Sequence, residues 1–243
     1  MNIPKVSIVM PVYNEAKHIE KLVSSFYRQV YLQLPRGSEF IIAEDGSNDG
    51  TNEVLDRLKK KMKITVVHGG AKKGYSKAAK DALKLPRNNV IFFTDSSGKH
   101  KPDDFWKLAN ELNNADIITG LRSDRKDPFF RRILTVMQRV LISVIFLIPF
   151  YDFNTGFKLI KKEVLDKVLK DCRYLKYGFS AELLIRAYKS GFSIKNVSVG
   201  FVHRDKDDEQ FALKKIPKIL IQQMIGFVKL RYELLNGKIL ILF

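Results

Sequence analysis

Short apolar runs alternate with stretches of helical periodicity through the first half of the chain, and this alternation limits the fold more than any other feature of the sequence. The apolar runs predict strands at residues 6–10, 40–43, 64–67, 90–94 and 116–119. Between them, apolar residues recur three and four positions apart, as at Ile19, Leu22 and Val23, and this spacing predicts helices. Because such alternation produces mostly parallel sheets with right-handed crossovers, we predict an α/β fold with helices on both faces of the sheet.

The pattern changes after about residue 125, where a basic and aromatic stretch covers residues 129–148. A turn at 152–156, a helix at 164–169 and a helix from Ser180 to Gly191 are predicted to follow. Residues 192–202 alternate as a strand, but the apolar phase slips between Ile194 and Val197, which predicts a bulge or two strands. The length of 243 residues allows one domain over residues 1–205, followed by a basic amphipathic tail over residues 206–243.

The charge of the chain predicts an anionic partner. There are 43 Lys and Arg residues against 26 Asp and Glu residues, which gives a formal charge of +17. Nucleic acid, an acidic lipid surface and phosphorylated small molecules all fit this charge. Because the sequence contains no recognised RNA- or DNA-binding motif, we expect no nucleic-acid partner. The single cysteine, Cys172, excludes an internal disulfide and is predicted to be a small buried residue in a reducing compartment.

Residues 125–150 combine basic and apolar side chains. Arginines such as Arg131 stand next to apolar residues such as Phe130, which predicts a cationic, amphipathic segment at a membrane interface. A core helix whose arginines extend to solvent is the alternative. The longest uncharged apolar stretch, residues 140–151, is shorter than the roughly 20 residues of a membrane-spanning helix, so a spanning helix is the less favoured alternative. Because the first residues lack a secretion signal, we expect a cytoplasmic protein that is peripheral on the cytoplasmic face of a membrane.

Polar loops follow the first two predicted strands. The first strand runs into Pro11, Tyr13 and Glu15, and the second runs into an acidic, glycine-containing loop over residues 44–51. Because the carboxyl ends of parallel strands meet at one edge of a sheet, both loops are predicted to border the same crevice. A carboxylate such as Asp45 can accept hydrogen bonds there from a nucleobase or a ribose. Taken alone, the second loop is better explained as an Asx-rich turn that caps the next helix.

The ordered set of motifs resembles the family 2 glycosyltransferases. The set begins with the Pro-x-Tyr-Asn-Glu turn at residues 11–15 and the Asp-Gly-Ser loop at residues 45–47. It continues through residues 73–75, 95–97, 120–122, 152–158 and 178–182. Within the family, the chain is most similar to the polyprenyl-phosphate hexosyltransferases, which include dolichyl-phosphate mannose synthases and glucosyltransferases. The resemblance implies a GT-A fold, in which a mostly parallel, Rossmann-like sheet carries helices on both faces.

The resemblance also implies a nucleotide-sugar site. Pro11, Tyr13 and Glu15 would border the nucleoside, and Asp45 would hold the base or its ribose. Lys73, from the motif before the third helix, would belong to the same site.

The implied catalytic residues are Asp95, Arg122 and Glu182. Asp95 would face the metal and the diphosphate, Arg122 would bind a phosphate, and Glu182 would lie on the acceptor side of the sugar. The residues implied for the acceptor phosphate are His203, Arg204 and Arg131.

The strand-end motif departs from the family pattern. Ser97 stands where the family usually has a second Asp, and Lys99 stands where it often has a Gln. Both residues stay in the predicted nucleotide-sugar site. Because Mg²⁺ and Mn²⁺ prefer carboxylate ligands, Asp95 predicts a weak site for either metal. Two alternatives are open: Lys99 supplies positive charge in the metal's place, or nucleotide binding is retained without catalysis. An acidic run at residues 205–209 also replaces a family Gly-x-Ser turn and leaves the acceptor open.

The predicted reaction is an inverting displacement in which a polyprenyl-phosphate oxygen takes a hexose from a GDP- or UDP-sugar. A family 2 transferase with a glycan or glycolipid acceptor is one alternative. A non-catalytic protein that binds nucleotides or nucleic acid is another. The predicted reaction requires Glu15, Asp45, Asp95 and Arg122 to converge on one crevice.

Overall fold

The computed structural model describes residues 3–122, 129–149, 152–202 and 216–239, with the backbone alone described at 129–134, 216–218 and 237–239. Within these residues, a seven-stranded sheet has the order β3-β2-β1-β4-β6-β5-β7. The strands are β1 (Val6–Val12), β2 (Glu39–Glu44), β3 (Thr65–Val67), β4 (Val90–Thr94), β5 (Ile117–Arg122), β6 (Phe157–Lys161) and β7 (Ile194–Val199). The helices are α1 (Ile19–Gln29), α2 (Thr51–Lys61), α3 (Tyr75–Ala82), α4 (Asp104–Ala109), α5 (Phe129–Phe146), α6 (Lys162–Val168), α7 (Phe179–Lys189) and α8 (Ile216–Ile239).

The five strands predicted in the first half are confirmed as β1 to β5, but β6 was missed. β6 runs antiparallel to both of its neighbours, β4 and β5, whereas the other neighbouring strands pair in parallel. Its sequence places Lys158 between Phe157 and Leu159, and Lys158 is only 1% exposed. A lysine interrupts the apolar run by which a central strand is recognised. The prediction of a mostly parallel α/β sheet is therefore confirmed, with one antiparallel strand added.

The predicted bulge or strand pair at residues 192–202 is wrong. β7 is one continuous strand whose register with β5 runs without a break from Ile117–Ile194 to Arg122–Val199. β7 is the last strand of the sheet, and most of its side chains are partly or fully exposed. Because neither face of this edge strand is fully buried, apolar residues can change from one face to the other along the strand at little energetic cost.

Two hydrophobic cores cover the two faces of the sheet. Alternate residues of one strand point to opposite faces, so Ile91 and Phe93 pack with α3, α5, α6, α7 and α8, whereas Phe92 packs with α1, α2 and α4. Cys172 lies in the first core and is 5% exposed, and burial raises the pKa of its thiol to about 12. The prediction that Cys172 is a small buried side chain is confirmed.

Helices α5 and α8 pack against each other beside the first core. The Phe146 and Phe227 rings meet edge to face with centroids 6.0 Å apart, and both residues are buried. The opposite sides of both helices are exposed and apolar, so α5 is partly a core helix and partly a surface helix. In the described part of the chain, we find no helix with the length and hydropathy needed to cross a bilayer.

Candidate active site

A cleft of about 970 Å³ opens at the carboxyl ends of β1, β2 and β4. Its walls come from the loops after these strands, from α3, and from residues 172–179 before and at the start of α7. Eight of the residues predicted from the sequence line it: Pro11, Tyr13, Glu15, Asp45, Lys73, Asp95, Ser97 and Glu182. The parallel strands therefore bring together motifs that are up to 171 residues apart in the sequence, as residues 11 and 182 are.

The loops after β1 and β2 are joined by side-chain hydrogen bonds. Asn14, whose φ is 51°, donates its N–H to Ser47 Oγ at 2.9 Å. The side chains of Asn14 and Asn48 are linked at 3.1 Å. Asp49 accepts hydrogen bonds from the N–H and hydroxyl of Thr51, the first residue of α2. The second loop therefore caps a helix, as an isolated Asx-rich turn would, and also forms part of the cleft.

Asp45 holds the loop that leads into α3. Its carboxylate accepts hydrogen bonds from the N–H groups of Lys73 and Gly74, both at 3.0 Å, and the residue is 5% exposed. The adjacent Gly46 has a φ of +71°, and a Cβ on it would lie 2.6 Å from the carbonyl carbon of Ala71. Asp45 therefore lines the cleft as predicted, but its contacts add a role in positioning the loop before α3. Contact with a base or a ribose stays a prediction.

Asp95 is fixed by Ser97 and by the residue before β6. Its Oδ1 accepts hydrogen bonds from the hydroxyl of Ser97 at 2.5 Å and from the Ser97 N–H at 3.1 Å. The Asp95 N–H donates to Gly156 O at 2.9 Å. A Cβ at Gly156 would lie 2.4 Å from Asp95 Oδ2, so only glycine leaves room for this carboxylate. Ser97, which stands where the family usually has a second Asp, therefore donates hydrogen bonds that orient Asp95.

The chemistry of these donors fits a divalent metal only in part. Among the described residues, no group of three or more His, Cys, Asp or Glu side chains could enclose a metal ion. Asp95 can offer one carboxylate to Mg²⁺ or Mn²⁺, and oxygens of a bound diphosphate and water would have to complete the shell. The residues thus fit a metal that binds together with its nucleotide.

Arg122 does not line the cleft, so the predicted convergence of four side chains holds for Glu15, Asp45 and Asp95 only. Arg122 forms a fork with Asp152, with Nε–Oδ2 and Nη2–Oδ1 distances both 2.8 Å. Asp152 is 1% exposed and also pairs with Arg139 at 3.2 Å.

Burial alone would raise the pKa of Asp152, but the Arg122 hydrogen bonds and the charges of Arg122 and Arg139 lower it to about 2. The carboxylate is thus ionised inside the protein, and Arg122 is its partner. The Asp152 carboxylate occupies the Nε and Nη2 donors of the Arg122 guanidinium group, and phosphate binding by Arg122 stays a prediction.

Lys99 also lies outside the cleft lining. Its N–H donates to Ser97 Oγ at 3.4 Å, and its carbonyl accepts from the Val202 N–H at 2.8 Å. The backbone of Lys99 thus supports the strand-end loop. Within the described ranges, no contact of the Lys99 side chain places positive charge in the cleft.

Lys158 is a buried cation that the sequence reasoning passed over. Its Nζ donates to the carbonyl of Thr155, and burial lowers the pKa of the ammonium group to about 7, although the charges of Asp152 and Asp95 oppose this shift. It therefore links the Arg122–Asp152 pair electrostatically to Asp95. The motif at residues 152–158 contained Lys158, and the signal that could have identified it was a lysine between apolar residues.

Six cations line the cleft: Lys72, Lys73, Lys77, Lys80, Arg173 and Lys176. Of these, the sequence had pointed only to Lys73. Lys72 Nζ lies 4.1 Å from the centroid of the Tyr13 ring, and Lys73 Nζ pairs with Asp81 at 3.1 Å. The described lining also contains four carboxylates, those of Glu15, Asp45, Asp95 and Glu182, so the cations are in excess by two, which favours an anionic ligand such as a diphosphate.

Glu182 lines the cleft, but its oxygens are used within the protein. They accept hydrogen bonds from the N–H groups of Arg173, Tyr174 and Leu175 at 2.7–2.9 Å and from the Arg186 guanidinium at 3.0–3.1 Å. The residue is 1% exposed. These contacts show that Glu182 holds the backbone of residues 173–175 in the cleft wall. Its catalytic role on the acceptor side of the sugar stays a prediction.

The predicted acceptor-phosphate residues lie outside the described part of the structure. This applies to His203 and Arg204 as a whole and to the side chain of Arg131.

Comparison with known sequences identifies the family of the chain and several relatives. Residues 7–169 match the model of glycosyl transferase family 2. The chain is 29% identical over 236 residues to an uncharacterised protein of Methanocaldococcus jannaschii, covering 90% of this chain and 97% of that protein. It is 26% identical over 210 residues to polyprenol monophosphomannose synthase of Mycolicibacterium smegmatis, covering 82% and 77% of the two chains. It is 25% identical over 213 residues to a dolichyl-phosphate β-glucosyltransferase of Trichomonas vaginalis, covering 80% of this chain and 64% of that one.

Solved structures show the same fold. A mannosyltransferase of Pyrobaculum calidifontis, in complex with GDP-Man and Mn²⁺, superposes with a TM-score of 0.67 at 19% identity, over 94% of this chain and 65% of that one. Glucosyl-3-phosphoglycerate synthase of Mycobacterium tuberculosis, in complex with Mn²⁺, UDP-glucose and phosphoglyceric acid, superposes with a TM-score of 0.71 at 18% identity, over 94% and 80%. The predicted GT-A fold is confirmed. With two thirds of its length matched by the family model, the chain belongs to glycosyl transferase family 2 and is a glycosyltransferase.

Proposed function

We propose that this glycosyltransferase passes a hexose from a GDP- or UDP-sugar to a polyprenyl phosphate at a membrane surface. The observation that carries the proposal is the cleft itself, which Asp45, Asp95 and six cations line together and whose wall of residues 172–178 packs on the apolar helix α8. The names of the mycobacterial and trichomonad relatives support a polyprenyl-type acceptor.

The donor would bind along the ends of β1, β2 and β4. Pro11, Tyr13 and Glu15 border one end of the cleft and would contact the nucleoside, whereas Asp95 lies at the end of β4 and would face the diphosphate. The cleft cations would balance the charge of the diphosphate. A Mg²⁺ or Mn²⁺ ion held by Asp95 would further neutralise the negative charge of the departing diphosphate.

The reaction would be a direct displacement at the anomeric carbon. An oxygen of the acceptor phosphate forms the new bond to this carbon while the bond to the diphosphate oxygen breaks, and the nucleoside diphosphate leaves with the bonding electrons. A phosphate that is already ionised needs no general base, so the saturation of Glu182 by hydrogen bonds is compatible with this route. The protein's part is to align the two substrates and to stabilise the departing charge.

The acceptor is tested by following a labelled hexose. We expect the protein, incubated with Mn²⁺, labelled GDP-mannose or UDP-glucose and dolichyl phosphate in detergent, to place label in the organic extract at least tenfold above a reaction without the lipid. A parallel reaction receives 3-phosphoglycerate, because that acid occupies one structural neighbour. Label found only in the water-soluble product would contradict the lipid acceptor and would indicate a small phosphorylated acceptor instead. Binding of either donor without product would favour the non-catalytic alternative.

The membrane part of the proposal depends on an apolar surface formed by α5 and α8. Its exposed members are Val136, Met137, Val140 and Val144 on α5, Leu147 directly after α5, and Leu220, Ile221, Met224, Ile225, Val228, Tyr232 and Leu235 on α8. Val144 and Val228 are 66% and 65% exposed. So many neighbouring exposed apolar side chains are unusual on a soluble surface. Lipid is the proposed occupant because the net charge of +17 would attract an anionic bilayer and the proposed acceptor is itself a lipid.

Charges placed on this two-helix apolar surface should weaken binding to lipid. We expect the variant with both Val144→Glu and Val228→Glu to bind phosphatidylglycerol vesicles at least tenfold more weakly than the wild type, because each apolar side chain contributes about 1.5–3 kcal/mol when buried. Sedimentation with vesicles measures the change. Leu32→Glu, at a 61% exposed position after α1, introduces the same charge away from the surface and is the control. Equal sedimentation of all three proteins would rule out this surface as the lipid contact.

A further inference from the structure

The cleft wall formed by residues 172–178 is attached to the C-terminal helix α8. Cys172, Arg173, Leu175, Lys176 and Tyr177 line the cleft from this wall. On the other side, the wall lies against two residues of α8. A Cβ at Gly226 would come within 2.6 Å of Leu175 Cδ2, and a Cβ at Gly178 would come within 3.0 Å of the Gln223 side chain. The helix and the wall are therefore in close contact.

Glu233 on α8 forms hydrogen bonds and ion pairs with residues of the wall and of α7. Its Oε2 accepts hydrogen bonds from Arg173 Nη2 at 2.8 Å and from the Tyr174 hydroxyl at 2.6 Å, and its Oε1 accepts one from Arg186 Nη1 at 2.7 Å. Burial alone would raise the pKa of this carboxyl, but hydrogen bonds from Tyr174, Arg173 and Arg186 lower it to about 2. Glu233 is thus ionised and engaged by three donors, two of which belong to the wall.

The network continues from Arg186 to the backbone of the wall. Arg186 is 5% exposed and bridges Glu233 to Glu182, whose oxygens hold the N–H groups of residues 173–175. On the other side of the wall, the hydroxyl of Ser76 on α3 donates to the carbonyls of residues 175 and 176. The wall is therefore held between α3 and α8, and Glu233 is the contact from α8 that carries charge.

We propose that Glu233 is a positioning residue for the transfer reaction, which acts by holding Arg173 and Tyr174 so that the wall keeps its cleft-lining shape. This inference deepens the proposed function and rests on it. It also extends the functional part of the chain beyond residues 7–169, the range that matches the family. Arg173 and Lys176 are the cations that the wall contributes to the cleft, so their placement for an anionic substrate depends on this contact.

The test compares the wild type with Glu233→Gln and with Tyr174→Phe. We expect Glu233→Gln to increase amide hydrogen exchange of residues 173–177 about tenfold, while the amides of β1 and β4 exchange at the wild-type rate. We also expect at least fivefold weaker binding of GDP-mannose or UDP-glucose with Mn²⁺, measured by calorimetry, because the charged wall no longer keeps its shape. Glu163→Gln, at an exposed position on α6, makes the same chemical change away from the wall and should match the wild type in both measurements.

Each outcome decides the proposal. Unchanged exchange of residues 173–177 in Glu233→Gln would overturn it, and so would increased exchange with unchanged nucleotide-sugar affinity. If Glu233→Gln loses core protection as well, Tyr174→Phe decides instead: it removes a single hydrogen bond, and a local rise in exchange of about threefold is expected, whereas wild-type exchange overturns the proposal. Absence of hexose transfer by the wild type would contradict the proposed function and would leave the exchange and binding measurements to judge Glu233.

Discussion

Asp95→Asn should lower kcat/KM for hexose transfer by about 10²–10³ while leaving the fold intact, because the substitution removes the one described carboxylate at the end of β4 that faces the cleft. The side chain keeps its shape, and the amide can still accept the Ser97 hydrogen bonds through its oxygen. What is lost is the negative charge that would hold a divalent ion against the diphosphate. The steady-state rates of both proteins with GDP-mannose and UDP-glucose measure this effect.

Metal removal separates the two charge-balancing schemes that the sequence left open. We expect EDTA to abolish wild-type transfer and Mn²⁺ to restore it, whereas the residual rate of Asp95→Asn should respond weakly to Mn²⁺. The matched control is Asp103→Asn, an exposed carboxylate before α4, which should retain the wild-type rate and melting temperature. A wild-type rate that survives EDTA would show that cleft cations replace the metal, and full activity of Asp95→Asn would remove this residue from the site.

The part of the fold that was predictable is the part governed by local periodicity. β1 to β5 contain short apolar runs without an internal charge, and the helices after β1 and β2 have apolar residues three and four positions apart, so both could be located from the sequence. β6 could not, because the buried Lys158 interrupts the apolar residues of this strand. The energetic reason that this lysine is tolerated is the neighbouring Asp152 carboxylate, which comes from a different part of the chain and leaves no mark on the local pattern.

The convergence of the cleft residues was also predictable, since the ends of parallel strands must share an edge. The hydrogen-bond and ion-pair partners of each charged residue were not predictable. Asp45 and Glu182 bind backbone N–H groups of loops at residues 73–74 and 173–175, and Arg122 pairs with Asp152 thirty residues later. These partners depend on the conformations of loops, and loops lack the periodicity by which helices and strands are predicted from a single sequence.

Glu182→Gln distinguishes a positioning role of this α7 residue from a catalytic one. Both carboxylate oxygens accept hydrogen bonds, so the amide nitrogen of glutamine would have to face N–H donors in either orientation. Removing one partner of a buried ion pair typically costs about 3–5 kcal/mol, which for a chain of this length lowers the melting temperature by roughly 10 °C.

Differential scanning calorimetry and transfer assays well below the lowered melting temperature measure the two effects separately. We expect Glu182→Gln to melt at a clearly lower temperature but to retain kcat within about tenfold, because the ionised acceptor phosphate needs no proton acceptor. Glu163→Gln, on the exposed side of α6, makes the same chemical change and should shift neither quantity, since surface substitutions usually stay within about 0.5 kcal/mol. A normal melting temperature combined with a kcat reduced by about 10³ would instead place Glu182 in contact with the reacting sugar. The wall at residues 173–175 would then have to move away from Glu182 when substrates bind, because at present every Glu182 oxygen is held by it or by Arg186.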